Sequence, residues 1–315
     1  MKVRSIPSAI VLFLLCTTMA ADAQTRYPHD VVTLITHSSP GGGSDVFLRD
    51  LAGYLGDAMN TTFVVMNVRG GSGARAMAKV ANAPADGSVL YATTPTYIYT
   101  SLLSRPGSDF RDLEPVVNVF FDEEVVYTRA DGPFRTLEDA IDTARTGQGR
   151  WGAANPASLE RQSLERLKAA AGIAPAIVTY EGGGELALNV LNGTLDIGVG
   201  EAIELESQLE AGQLRLLAVF SDARSKQFPD LPTVAESGYD VVVRKFRGFA
   251  GPKGLPPDII AAWERGVQAL LANPEYRRVS ASLSPAYMPH AEYVDFIDGF
   301  AADTEAYLRQ TGTLR

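Results

Sequence analysis

Cysteine is almost missing from this chain. Its 315 residues hold one, Cys16, which lies in a stretch read below as a removable leader, so no disulfide framework can hold the fold. Histidine is nearly as scarce. His29, His37 and His290 are far apart, with no H-E-x-x-H pair and no Cys/His cluster, so no metal site is expected. The G-x-S-x-G elbow of a hydrolase and the Walker A phosphate loop are both absent. Gly147-Gln148-Gly149-Arg150-Trp151-Gly152 spells G-x-G-x-x-G, but it stands ahead of a strand rather than between a strand and a helix, so the dinucleotide context fails. Positive charge is in deficit. A formal net charge of −9 argues against nucleic acid or an anionic membrane surface as partner. No catalytic residue and no cofactor is assigned.

Long apolar runs are lacking too. The N-terminal one, Ala9 to Leu15, is shorter than the roughly 20 residues a membrane span needs. With Lys2 and Arg4 before it and Ala21-Asp22-Ala23 behind it, it reads as a secretory signal over 1–23, with Gln24 as the first mature residue. Leu15 is not the small residue a lipoprotein signal wants before its cysteine, so Cys16 is not read as lipidated. The remaining chain of about 292 residues suffices for one large core or two smaller ones.

What is present is glycine in two special places. Pro40-Gly41-Gly42-Gly43-Ser44-Asp45 and Glu181-Gly182-Gly183-Gly184-Glu185 each precede a helix-like run. Glycine lets the backbone come close to a ligand. A helix start behind it offers unpaired N–H groups and the positive end of the dipole. The pair predicts two seats for one small carboxylate or phosphate.

Strand and helix signals alternate along the chain. Val31 to Thr36, Phe63 to Met66 and Val89 to Ala92 read as strands, with helical spacing from Val46 to Met59 and from Ala74 to Ala83. Such alternation points to a parallel sheet. Residues 116–128 and Asp240 to Phe246 are long, β-branched and extended, and bracket a middle segment with its own alternation. In that segment Trp151 to Ala154, Ile177 to Tyr180, Leu195 to Val199 and Leu214 to Phe220 read as strands. Asn155 is placed as the cap of a helix starting at Pro156. After Pro252 the pattern is helical. The expected fold is therefore α/β with two lobes. Lobe one holds 24–122 and 246–315, lobe two holds 123–245, and the two extended crossings form a hinge.

Among the candidate side chains, Ser44 and Asp45 stand where a helix begins, either as caps or as ligand contacts. Arg247 is the first choice for a cation facing the cleft, with a hinge salt bridge as the alternative. Glu185 is expected in a first helical turn, facing that helix terminus or solvent. Glu181 or Glu201 is a candidate reader of a ligand amino group. His37 is either a strand-end histidine or part of the cleft lining.

Taken together these residues resemble the extracytoplasmic substrate-binding proteins of tripartite tricarboxylate transporters, the Bug/TctC family. The resemblance rests on Tyr27-Pro28, the Pro40 to Asp45 loop, the Asn67 to Gly73 turn and Pro84-Ala85-Asp86-Gly87. It continues through Tyr180 to Gly184, Gly193 to Ile197, Ala211 to Val219, Asp230 to Asp240 and Phe246-Arg247-Gly248. It implies a periplasmic, two-lobed Venus-flytrap fold of type II-like topology that holds a small carboxylate on backbone amides and ordered water. The contacts it implies are Gly41, Gly42, Gly43, Ser44, Asp45, Thr93, Thr94 and Thr96 in lobe one. In lobe two they are Asn155, Ser158, Gly182, Gly183, Gly184, Gly200 and Glu201. The implied partners are integral-membrane transporter subunits, with a sensor kinase as the second reading, and a monomer is expected. An exported hydrolase using Ser44 or Ser72 with His37 ranks last. The chain departs from the family at Val68-Arg69, where Asn-Arg-Pro-Gly is usual, at Glu181, where a lysine is common, and in the Asn155 to Ser158 loop, which lacks the usual glycine and serine.

Overall fold

The structure, a computed structural model, describes residues 27–281 and 283–314. The leader and its cleavage site lie outside these residues. In chain order, β1 (Val31–Thr36), α1 (Gly43–Met59), β2 (Thr62–Asn67), α2 (Ala74–Ala81), β3 (Val89–Thr93), α3 (Pro95–Ser104) and β4 (Leu113–Asp122) come first. Then follow β5 (Glu124–Arg129), α4 (Leu137–Arg145), β6 (Arg150–Ala154), α5 (Leu159–Ala171) and β7 (Ala176–Tyr180). Next are α6 (Gly183–Leu191), β8 (Ile197–Glu201), α7 (Ala202–Glu210) and β9 (Leu214–Val219). The chain ends with β10 (Lys245–Pro252), α8 (Pro257–Ala272), α9 (Pro274–Val279), β11 (Ser284–Met288) and α10 (His290–Gln310).

These elements make two sheets. One runs β11-β4-β10-β3-β1-β2 and the other β7-β6-β8-β5-β9. The result is an α/β fold of two lobes. Consecutive strands β4 and β5 lie in different sheets, and so do β9 and β10. Both sheets are mixed, not purely parallel as the alternation suggests. β10 pairs antiparallel with β3 and β4, and β5 antiparallel with β8 and β9. The reason is topological. β1 and β3 end near the cleft, whereas β10 begins there, so the returning chain must run back against its neighbours.

Helices cover the first sheet on both faces. On one face α1 and α8 meet it, with Phe47, Phe249 and Trp263 buried together and the Phe249 and Trp263 rings 4.7 Å apart. On the other, Phe246 packs edge-on against Phe296 and Phe300 of α10 at 5.4 and 5.3 Å. Burying such aromatic rings contributes about 1.5–3 kcal/mol for each.

Four elements went unread, one of them, α4, despite a capping box from Thr136 to Asp139 and an apolar face of Leu137, Ala140, Ile141 and Ala144. Helix α3 is buried all round from Pro95 to Leu102, so it has no polar stripe to give it a period. α9 and β11 are short. Asp240 to Arg244, read as extended strand, carries no sheet pairing, and the strand starts only at Lys245. Asn155 is not a helix cap either. It sits in the left-handed region (φ 59), its N–H donates to Tyr180 O at 2.6 Å, and α5 begins later, capped by Ser158 Oγ, which accepts from Arg161 N–H.

Candidate functional site

Five helices aim their N-termini at one place between the lobes. They are α1 and α3 of the first lobe and α5, α6 and α7 of the second. A cavity there is lined by Gly43, Ser44, Thr94, Thr96, Asn155, Glu160, Gly182, Gly183, Glu201 and Glu204 among others. It is small, about 20 Å³, which is room for a single water. The cleft is closed. N–H groups and dipoles converging in this way favour an anion, and neither α3 nor α6 has a side-chain capping bond of its own.

The two triple-glycine loops meet face to face across the cleft. A Cβ placed on Gly182 would land on Ser39. One on Gly43 would come within 2.6 Å of Glu201 Oε2 and 2.8 Å of Arg247 Nη2. At Gly182 the Cβ and backbone N of Ser39 leave no space for a side chain, whereas at Gly43 the charged ends of Glu201 and Arg247 would have to move. Further polar contacts join the lobes, with Ala157 N–H donating to Ser72 Oγ at 3.3 Å and Thr100 Oγ1 donating to Ala157 O at 3.5 Å.

The seat at the start of α1 already has a carboxylate of the chain itself. Gly43 N–H donates to Glu204 Oε2 at 2.8 Å, and Glu201 N–H donates to Glu204 Oε1 at 3.3 Å. Glu204 thus bridges the N-termini of α1 and α7, one from each lobe. Burial, with Glu160 nearby, pushes its carboxyl up to about 8.

A buried ion cluster forms part of the cavity wall and extends behind it. Lys245 Nζ, at the start of β10, donates to Glu124 Oε1 at 2.9 Å and to Glu160 Oε1 at 2.7 Å, and it also contacts Glu201 Oε1. The ligand atoms of Glu124, Glu160 and Glu201 lie within 4.8 Å of one another, close enough to share a metal ion. The ammonium fills the role of that cation. Burial pushes Glu124 up to about 8, against the pull of Lys245. Burial alone would raise Glu160 too, but Lys245 outweighs it and holds Glu160 below the usual range. Burial alone would lower Lys245, and Glu124 and Glu160 keep it raised. Two residues on, Arg247 donates through Nε to Asp122 Oδ2 at 2.7 Å and through Nη1 to Ser44 Oγ at 3.1 Å, and its Nη2 lies 3.2 Å from Glu201 Oε1.

The candidate residues divide. Gly43, Ser44, Thr94, Thr96, Asn155, Gly182, Gly183 and Glu201 line the cavity. Gly41, Gly42, Gly184 and Gly200 are part of the framework around it, Gly184 packing toward Pro40 O and Gly200 against Glu204. Ser158 caps α5. Asp45 turns away from the cleft and accepts from Gly41 N–H at 2.9 Å, while Arg49 and Asn67 also hold it. Burial alone would raise Asp45, and these partners outweigh it and keep it below the usual range. The N-cap of α1 is Gly42, with no side-chain bond, so neither Ser44 nor Asp45 is the cap. Thr93 faces the other way, its Oγ1 2.7 Å from Tyr293 OH. Arg247 is 1% exposed and taken up by its ion pairs behind the cavity, so the salt-bridge reading describes it and the free cleft cation does not. Glu181 and Glu185 are exposed, Glu185 in the first turn of α6. His37 lines the cavity, bonded to Tyr91 OH at 2.9 Å, and burial lowers it to about 4, so it is neutral near pH 7.

Sequence reasoning missed Glu124, Glu160, Glu204 and Lys245. Signals existed for two of them. Side chains two apart on a strand share a face, so choosing Arg247 should have brought in Lys245. Glu204 stands three residues after Glu201 at a helix start, the spacing of a capping box.

BugT of Bordetella pertussis is 27% identical over 325 residues, covering 99% of each chain. The structure of R. palustris Rpa4515 with adipate superposes with a TM-score of 0.85 at 25% identity, covering 91% of this chain and 98% of that one. Periplasmic binding protein BugD gives the same TM-score at 22% identity, with 91% and 99% covered. The family pattern described as the tripartite tricarboxylate transporter family receptor, TctC, matches residues 47–312, from within α1 to just past α10 with only β1 and the first glycine loop ahead of it, and the chain belongs to that family.

Proposed function

We propose that this chain is an exported solute receptor. In this reading it captures a small organic acid between its lobes and delivers it to the membrane subunits of a tripartite tricarboxylate-type transporter, with no chemistry of its own. The convergence of five helix N-termini on one cavity, drawn from both lobes, carries the reading. Membership of the receptor family supports it, as does the adipate held by Rpa4515. The leader over 1–23 supports export to the periplasm.

Capture works by hinge closure. The lobes divide at 122/123 and just ahead of β10: Lys245, expected as the last residue of lobe two, already pairs with Asp122 in the first sheet, so the second boundary falls at 244/245. A cavity of about 20 Å³ cannot admit an organic acid, so the solute enters when the lobes separate. A solute that touches both lobes shifts the equilibrium toward closure, and one that touches a single lobe does not. Thermal unfolding of refolded, ligand-free protein against mono-, di- and tricarboxylates and amino acids tests this. Binding raises stability by about 2.7 kcal/mol at a hundredfold excess over Kd. A panel without any shift overturns the capture reading.

A further inference from the structure

The cavity combines two features that pull in opposite directions. Helix N-termini favour an anion, yet the side chains that line it include Glu160, Glu201 and Glu204 against a single ammonium, Lys245. Just behind stand Asp122 and Glu124, with Arg247 as the other cation. Even with Glu124 and Glu204 holding their protons, as burial favours, Asp122, Glu160 and Glu201 outnumber Lys245 and Arg247 in a buried space. A dicarboxylate would bring two further negative charges into it, where like charges repel more strongly than in water.

A second observation is independent of the acids. Thr94 Oγ1 lines the same cavity, Thr94 is 2% exposed, and among the described residues nothing hydrogen-bonds to this hydroxyl. Buried hydroxyls are normally paired, so this one is placed for a group that enters the cleft. It stands at the N-cap of α3. The cluster itself shows what its carboxylates take, because Lys245 Nζ is held by Glu124, Glu160 and Glu201 together. Glu204, bonded to the N–H groups of Gly43 and Glu201, marks where a carboxylate sits at the start of α1.

We propose that the solute of this cleft is a zwitterion, an amino carboxylate. Its carboxylate takes the helix N-termini of α1, α3 and α6, and its ammonium is held by Glu160, Glu201 and Glu204. With one carboxylate such a solute adds no net charge to the enclosure, with two it adds one negative charge fewer than its parent acid, and in either case it satisfies both features at once. The inference rests on the capture reading and names its solute class.

The test compares acids that differ by one amino group: butanoate with 4-aminobutanoate, glutarate with glutamate, and adipate with 2-aminoadipate. Calorimetry and thermal unfolding at pH 7.5 on the refolded full chain give the affinities. In at least one pair the amino member is expected to bind about tenfold or more tightly than its parent. Parent acids that bind as well or better overturn the zwitterion and leave capture standing. Binding by no member of the panel overturns both. Glu204→Gln supplies a second readout. It should narrow the preference for the amino member, read as the ratio of the two affinities within a pair. An unchanged ratio would mark Glu204 as structural and overturn its role with the ammonium.

Discussion

The two walls of the cleft are built from look-alike glycine loops, yet they differ in what stands around them. The first lobe brings bare amide at Gly43 and the cations Lys245 and Arg247. The second brings Glu124, Glu160, Glu201 and Glu204. Closing the lobes therefore pairs opposite charges across the cleft. In the proposed capture, the glycines set how near the walls can come, and the carboxylates and cations set what the closed space accepts. A triple glycine alone is consequently a poor guide to ligand charge.

Removing the cation breaks the comparison most severely. Lys245→Met leaves three buried carboxylates facing one another, and truncating one partner of a buried pair costs about 3–5 kcal/mol. Urea unfolding at pH 7.5 should show a loss of that order, and adding Glu124→Gln should restore part of it. A loss under about 1 kcal/mol would mean that water reaches the cluster and the charge division between the walls matters little. Next in size is the contact of the loops. Gly182→Ala places a methyl on Ser39, where the Cβ and backbone N of Ser39 are also close, so a rotamer change does not relieve it. Overpacking of this kind costs about 1–3 kcal/mol. Because it falls on closure, it should appear as about a tenfold weaker affinity, with stability nearly unchanged. Gly53→Ala, with nothing within 4 Å on α1, is the control and should stabilise by up to about 1 kcal/mol.

The fold was legible because its signals are local. β1, the Pro40 to Asp45 loop and α1 follow one another in the sequence with their apolar periods intact, and the lobes are announced by β-branched runs at residues 116–128. The acid cluster was not legible because its members come from 85 and 121 residues away, as Lys245 does from Glu160 and Glu124. Only the packing of β5, α5 and β10 brings them together. Asp45 and Arg247 show the same limit from the other side. Each stands beside a conspicuous loop or crossing, and each is claimed by partners distant in sequence, such as Asn67 for Asp45 and Asp122 for Arg247.

A smaller effect sharpens the contrast through pH. The folded-state carboxyls of Glu124 and Glu204 are raised to about 8, so between the ordinary carboxylate range and pH 8 the native state holds protons that the unfolded chain does not. Stability then falls as pH rises through that window. His37, lowered to about 4, acts in the opposite sense but only below its ordinary value of 6.5, so pH 6.5–8 isolates the carboxyls. Urea midpoints should decline across that interval, and Glu204→Gln should flatten the decline by removing one of the two protons. An unchanged slope would place the titration elsewhere.

The smallest expected effect concerns the outer flank of the second loop. Glu181 and Glu185 sit beside Gly182 to Gly184 in sequence, and two such charges would oppose an entering anion if they faced it. Both are exposed instead, and water and salt screen exposed charges beyond roughly 8–10 Å. Glu181→Gln and Glu185→Gln should each change stability by no more than about 0.5 kcal/mol and affinity by less than about twofold. Calorimetry with any acid that binds the native chain decides this. A tenfold change from Glu181→Gln would move the ligand's charged end out of the buried enclosure to the rim, and would transfer the reading of an amino group from Glu160, Glu201 and Glu204 to a solvent-facing carboxylate.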